Sequence, residues 1–186
     1  MTGFAMCGSF CNMENALTQL EKLVKSGEEV IPIVSYNVYS TNTRFISAHD
    51  NISRIEKLCQ KQVIHSLEEA EPLGPKIKLD ILCICPCTGN TLAKLACGIS
   101  DTPVTLAAKA HMRNDRPVVI ALASNDSLSG NAENLGRMLA RRNVFFVPMS
   151  QDDALKKPRS LVCDFERLPE TIESAKRGVQ IQPVLF

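Results

Sequence analysis

The sequence carries no charge surplus: 21 lysines and arginines stand against 20 aspartates and glutamates, a net charge of +1 over 186 residues. A chain so near neutrality lacks the cation excess that holds non-specific binders to phosphate, so no nucleic acid is expected as a partner. Long apolar runs are also missing. The longest, Ile81–Cys85 and Pro117–Ala123, fall well short of the roughly 18 residues of a helical membrane span, and no membrane contact is expected. The first basic residue is Lys22, so no charged leader is read and a cytoplasmic location is expected. Cysteine is too sparse for a disulfide scaffold, 8 residues in 186, and thiols in that compartment stay reduced. Cys83, Cys85 and Cys87 alternate along an apolar run, as small buried hydrophobes of a strand do. The second cysteine pair of a zinc site is missing, so no metal is expected.

Two motifs are absent as well. After the first strand candidate only Gly8 of a G-x-G-x-x-G pattern is in place, and no Walker A lysine pattern occurs. The usual nicotinamide dinucleotide and nucleoside triphosphate sites are therefore excluded, and a mononucleotide is the better expectation.

What the chain does have is an ordinary globular balance, 45% hydrophobic and 22% charged. Its length suits one domain over residues 1–186, with a tail from about 151 packing on the core or on a neighbouring subunit. Short β-rich runs alternate with helical patterns. The strand candidates are Thr2–Cys7, Val30–Ser35, Gln62–His65, Asp80–Cys85, Pro117–Ala123 and Val144–Val147. Helical spacing marks Met13–Ser26, Asn51–Lys61, Thr91–Cys97, Pro103–Met112, Asn131–Arg142 and, in the tail, Pro169–Arg177. Asn37–Arg44 and Leu67–Lys78 read as loops. This alternation predicts an α/β fold: a three-layer α/β/α Rossmann-like domain whose six-stranded parallel sheet is ordered 3-2-1-4-5-6.

In such a sheet ligands bind beyond the carboxyl ends of the strands where the order reverses, here between the first and fourth strands. The two most unusual turns fall at those two ends: Cys7-Gly8-Ser9-Phe10, and Pro86-Cys87-Thr88-Gly89-Asn90-Thr91. Each is small and hydroxyl-bearing and runs into a helix start, where free N–H groups and partial positive charge favour an anion. Plain N-capping is the competing reading of each turn taken alone.

The run PCTGNTLAKLACGISD (Pro86–Asp101) resembles the PASANT-type segment, with its following G-x-x-D, of the homo-oligomeric flavin-containing cysteine decarboxylase superfamily of flavoproteins. The likeness continues through RPVVIALASND (Arg116–Asp126) and NVFFVPMSQD (Asn143–Asp152), and the runs GFAMCGSFC, Ile33–Phe45 and AEPLGPKI extend it over essentially the whole chain. It implies an FMN-type site. Gly8, Ser9 and Phe10 would hold the phosphate with Ser35 beside them, and Pro86, Thr88, Gly89, Asn90 and Thr91 would lie along the ribityl chain and ring edge. Asn125 matches the substrate-facing asparagine of the decarboxylases' P-x-M-N segment, which here reads Leu122-Ala123-Ser124-Asn125. The loss of that proline and methionine, and Pro72 where the decarboxylases carry a histidine, make a flavin-dependent decarboxylase the second reading, beside a non-catalytic ligand-binding or assembly subunit. The resemblance is strongest to an oxidoreductase branch from spore-forming bacteria acting on a small dicarboxylate. It implies a homo-oligomer, and a second kind of subunit whose own dinucleotide domain supplies NADP.

No proton-transfer residue stands out. Arg44, with Lys76 and Lys78, lies on loops expected to flank the cleft, and arginine suits a bidentate carboxylate clamp. His49 is a loop residue near Arg44, His65 ends the weakest strand, and His111 reads as a packed or surface histidine. Arg137, Arg141 and Arg142 read as an exposed helix face. The apolar tail residues Val179, Ile181, Val184, Leu185 and Phe186 are expected to meet a partner surface.

Overall fold

The computed structural model describes residues 1–186. Four apolar runs form the centre of the sheet: β1 (Thr2–Met6), β2 (Val30–Val34), β3 (Ile81–Cys87) and β4 (Val118–Ser124). Every residue of β1, β3 and β4 is buried, as happens when helices cover both faces of a parallel sheet. Those helices are α1 (Met13–Lys25), α2 (Tyr36–Ser40), α3 (Ala48–Cys59), α4 (Leu67–Ala70), α5 (Gly89–Ala96), α6 (Pro103–Met112), α7 (Ala132–Leu139) and α8 (Leu168–Lys176). In α1 the inward residues Ala16, Leu17, Leu20 and Leu23 repeat at helical spacing. No helix is long and apolar enough to cross a membrane.

The parallel order β2-β1-β3-β4, with β5 (Val144–Phe146) paired to the far side of β4, agrees with the sequence expectation. The expected third strand, Gln62–His65, shrinks to one bridge between Ile33 and Ile64. The reason is local. Ile64 turns its N–H and C=O to β2, while the N–H groups of Val63 and His65 donate to the carboxylates of Glu56 and Glu69 at 3.2 and 2.8 Å. The next donor on the β2 side, the Ser66 N–H, also goes to Glu69, at 3.2 Å, so the pairing stops, and carboxylates cover the outer edge.

A larger correction concerns the tail. Met149–Asp153 (β6) and Lys157–Cys163 (β7) form an antiparallel hairpin, and β7 pairs with β4 at Ala123 and Ser124. The sheet therefore has seven strands and is mixed, not six and parallel. Along β4, β5 occupies Val118–Ile120 and β7 takes over at Ala123, so the hairpin stands beside the carboxyl end of β4. Two short helices also replace expected loop: α2, capped by Ser35, and α4, whose Ser66 and Glu69 form a capping box.

Beyond α8 the tail folds back on the sheet. The Gln180 amide brackets the Phe146 backbone, accepting from its N–H at 2.7 Å and donating to its C=O at 2.8 Å. A side chain thus supplies the ladder bonds that β5 would otherwise lack. Ile181 is buried, whereas Val179, Leu185 and Phe186 remain 54%, 52% and 62% exposed. Gln180→Ala should cost about 1–3 kcal/mol, two hydrogen bonds at a sheet edge, and expose the tail to proteolysis. Urea unfolding and limited digestion read this out; a wild-type midpoint and digestion pattern would remove the bracket from the stability of the tail.

Candidate functional site

Two cavities meet at the carboxyl ends of β1, β3 and β4. The larger, about 570 Å³, is walled by Gly8–Asn12 after β1, Thr88–Asn90 after β3, Ala123–Asp126 at the end of β4, Asn131 before α7, and Asp152, Lys157 and Val162 from the hairpin. The smaller, about 350 Å³, holds Cys7, Ser35, Tyr36, Asn37, Thr91, Lys94 and Thr102. Gly8, Thr88 and Asn90 line both, so they form the ridge between them. These sizes fall within the range of ordinary small-molecule sites.

The first loop differs in detail from expectation. Ser9 caps a single 3-10 turn, Phe10–Asn12, rather than α1 itself, and its Oγ accepts from Asn12 Nδ2 at 3.1 Å. The second loop is tied to the first: the Cys7 N–H donates to the Pro86 C=O at 3.1 Å. Thr88 caps α5, its Oγ1 accepting from the Thr91 N–H at 3.3 Å. The Thr88 hydroxyl donates to Thr91 Oγ1 at 3.2 Å, and the Thr91 hydroxyl donates to Cys7 Sγ at 3.3 Å. Burial pushes the Cys7 thiol up to about 11, against the opposing pull of that hydroxyl. Ser35 likewise caps α2 through the Val38 N–H at 3.4 Å. Capping and cavity lining thus coexist in these residues. The first turn of α5 meets the larger cavity through Gly89 and Asn90, where a helix leaves N–H groups without intrahelical partners.

Gly8, Ser9, Phe10, Ser35, Thr88, Gly89, Asn90, Thr91 and Asn125 all line one cavity or the other. Pro86 and Arg44 do not. Pro86 is buried in β3 where the register to β4 shifts between Ile84 and Cys87; such a bulge is where a central strand tolerates a residue without an N–H. Arg44 is exposed and stacks over Phe45, 4.8 Å from the ring centroid. His49 and His65 line a separate cavity of about 480 Å³ behind α3, where His65 stacks on Tyr39 at 3.8 Å. His111 is buried. No three His, Cys, Asp or Glu side chains converge closely enough to hold a metal ion.

The sequence reading missed Asp126, Asn131, Asp152 and Lys157, and gave Ser124 no role. Asp126 accepts from Ser124 Oγ at 2.6 Å and from Asn131 Nδ2 at 2.8 Å. A Cβ on Gly89 would lie 2.5 Å from Ser124 Oγ and 2.8 Å from Asp126 Oδ1, so the carboxylate packs against the start of α5, where negative charge is favoured. Its position one residue beyond Asn125, at a strand's carboxyl end, was the available signal. Asp152 and Lys157 form an ion pair across the hairpin, and no sequence rule singles them out.

Comparison with known proteins gives a consistent result. Residues 3–173 match the family Flavoprotein. The chain is 48% identical over 183 residues to the B subunit of dipicolinate synthase from Bacillus subtilis, spanning 98% of this chain and 92% of that one. The crystal structure of the B subunit of dipicolinate synthase from Bacillus halodurans superposes with a TM-score of 0.91 at 43% identity, covering 100% of this chain and 95% of the other. An FMN-dependent cysteine decarboxylase shares the fold, with a TM-score of 0.69 at 20% identity over 94% of this chain and 95% of the other.

Proposed function

The chain belongs to the Flavoprotein family, and from that premise we propose that it acts as the B subunit of a dipicolinate synthase. In this reading it takes part in the NADP-linked dehydrogenation of dihydrodipicolinate to dipicolinate during spore formation, working as a single flavoprotein-like unit over residues 1–186 and as a homo-oligomer. The observation that carries the reading is 48% identity over nearly the full length of a relative of that name.

The cleft fits an FMN-type group. The walls offer hydroxyls, amides and a helix start, and Gly89 lets that helix start pack directly on Ser124, 2.5 Å from where a Cβ would sit. Gly8, Ser9 and Phe10, with Ser35 beside them, would hold the phosphate end; Thr88 and Asn90, on the ridge between the cavities, with Gly89 and Thr91 next to them, would bind the polyol and ring edge. Bound there, a flavin supplies a two-electron acceptor. Asn125, exposed at the rim, would hydrogen-bond the substrate, and Phe10 and Val162 would shield the interior from water. The chain has no dinucleotide fingerprint, so NADP is assigned to a partner, the A subunit of dipicolinate synthase.

The test is to purify the chain, record its flavin absorbance, and assay dihydrodipicolinate conversion with NADP for each of the two proteins singly and mixed. Flavin absorbance in the chain, weak turnover by it alone and strong stimulation on mixing, with co-elution, are expected. Full activity in the absence of the partner, or no stimulation and no co-elution, would overturn the partner assignment. A colourless chain that takes up no added FMN would overturn the flavin assignment.

A further inference from the structure

The charges of the larger cavity do not balance. Its charged wall residues are Asp126, Asp152 and Lys157, and Lys157 is taken by Asp152. Asp126 is left over. It is nonetheless a built feature rather than a loose surface side chain: Oδ1 accepts from Ser124 Oγ at 2.6 Å and Oδ2 from Asn131 Nδ2 at 2.8 Å. Both donors are themselves about nine-tenths buried, at 8% exposure each. Gly89 closes another side, with room for no further atom between it and Oδ1. The Asp126 C=O in turn accepts from the N–H groups of Ser129 and Asn131 at 3.0 and 3.1 Å, fixing the turn that carries the side chain.

A carboxylate oxygen can accept about two hydrogen bonds, and the chain satisfies one on each oxygen of Asp126. What remains faces a cavity whose only cation is already paired. A ligand group with hydrogens to donate completes that arrangement; a second carboxylate meets a like charge that no side-chain cation neutralises. We propose that Asp126 sets the ligand specificity of this cavity: it holds a neutral hydrogen-bond donor, a polyol hydroxyl or a ring N–H, and keeps carboxylates off that wall. The donor half of the inference rests on the reading that the cavity takes a flavin mononucleotide; the exclusion half follows from the wall charges alone. A dicarboxylate substrate then places its charged ends away from Asp126, toward the Asn12 amide on the β1 side of the cavity.

The test uses the full chain and two probes titrated separately, FMN and dipicolinate. Asp126→Asn keeps size and shape while removing the charge and one acceptor. FMN affinity should fall about tenfold, the scale of losing one hydrogen bond to a charged group, while dipicolinate affinity should rise about tenfold. Opposite signs identify specificity, since a folding defect would weaken both. Asp126→Ala, which also frees Ser124 and Asn131, should keep the same pair of signs. Unchanged or weakened dipicolinate binding in both variants overturns the exclusion of carboxylates, and unchanged FMN binding overturns the donor contact. Should the wild-type chain bind no FMN, the mononucleotide reading and its donor contact fall together. The dipicolinate titration then decides the exclusion separately, with tightening supporting it and no change overturning it.

Discussion

Gly89→Ala should lower both stability and ligand affinity, although alanine is the better helix former. The methyl group would sit 2.5 Å from Ser124 Oγ, 2.8 Å from Asn131 Nδ2 and 2.8 Å from Asp126 Oδ1, well inside van der Waals contact with three members of one network. None of the three can swing away freely. Ser124 ends β4 with its backbone in the ladder to β7, and its hydroxyl and the Asn131 amide are already committed to Asp126. Crowding a filled site costs about 1–3 kcal/mol, and a lost hydrogen bond to a carboxylate adds about 1.5–3 kcal/mol. A loss of about 3 kcal/mol and at least tenfold weaker FMN binding are expected. Gly136→Ala is the matching control. It lies inside α7 with no atom within 4 Å of the added Cβ and no positive φ, so the same chemical change should stabilise by up to about 1 kcal/mol. Urea unfolding and FMN titration of the two variants measure both effects, and a Gly89→Ala protein with wild-type values would show the network to be soft.

What made the fold legible was the apolar continuity of its parallel strands. Thr2–Met6, Ile81–Cys87 and Val118–Ser124 are buried throughout, so composition alone separates them from the amphipathic helices between. Pairing that depends on polar side chains left no such trace. Gln62–His65 looks like a strand, but only Ile64 bonds to β2, and Glu69 takes the Ser66 N–H, the next donor a ladder would need. The hairpin fails in the opposite way. β6 reads Met149-Ser150-Gln151-Asp152-Asp153, polar apart from the buried Met149, and it exists because β7 finds the free edge of β4 beyond β5. Its turn is held by Asp153 Oδ1, which accepts from the N–H groups of Leu155 and Lys156 at 3.1 and 2.9 Å, a local device that a reading based on apolar runs passes over. The site divides along the same line. Gly8, Ser9, Thr88 and Asn90 follow strands directly, and the topological rule puts them at a cleft. Asp126 meets Asn131 only because the intervening turn folds back on itself through three backbone hydrogen bonds, from Ser129 and Asn131 to Asp126 and from Ala132 to Ser129. Arg44 misled because a charged loop residue gives no sign of its direction, and it turns to Phe45 instead.

Stability should fall between pH 6.5 and pH 5, and His111 should be responsible. The side chain is 5% exposed on α6, and its Nε2 has no hydrogen-bond partner. Burial, reinforced by the charge of Arg116, pulls its pKa from 6.5 down to about 4; a backbone hydrogen bond at Pro117 and the charge of Asp80 oppose this only in part. Above pH 6.5 the imidazole is neutral in both folded and unfolded chains and contributes no pH dependence. As the pH falls below 6.5 the unfolded chain takes up a proton that the folded chain refuses until about pH 4, so the native state loses ground across that window. The loss reaches about 2 kcal/mol by pH 5 and about 3 kcal/mol near pH 4, where it levels off. The paired carboxylates act lower. Glu14, Glu28 and Asp80 have folded values held below the ordinary 4.5 and 3.8, so their contribution is intact above the unfolded values and is lost only as the pH drops through the folded ones. The upper window therefore belongs to the histidine. His111→Leu, which fills the same buried site without a titrating group, should flatten the stability curve between pH 6.5 and pH 5 while leaving the acid limb below pH 4.5 in place. Urea midpoints taken at half-unit steps decide it: an undiminished slope in the variant would mean that another group titrates in that range.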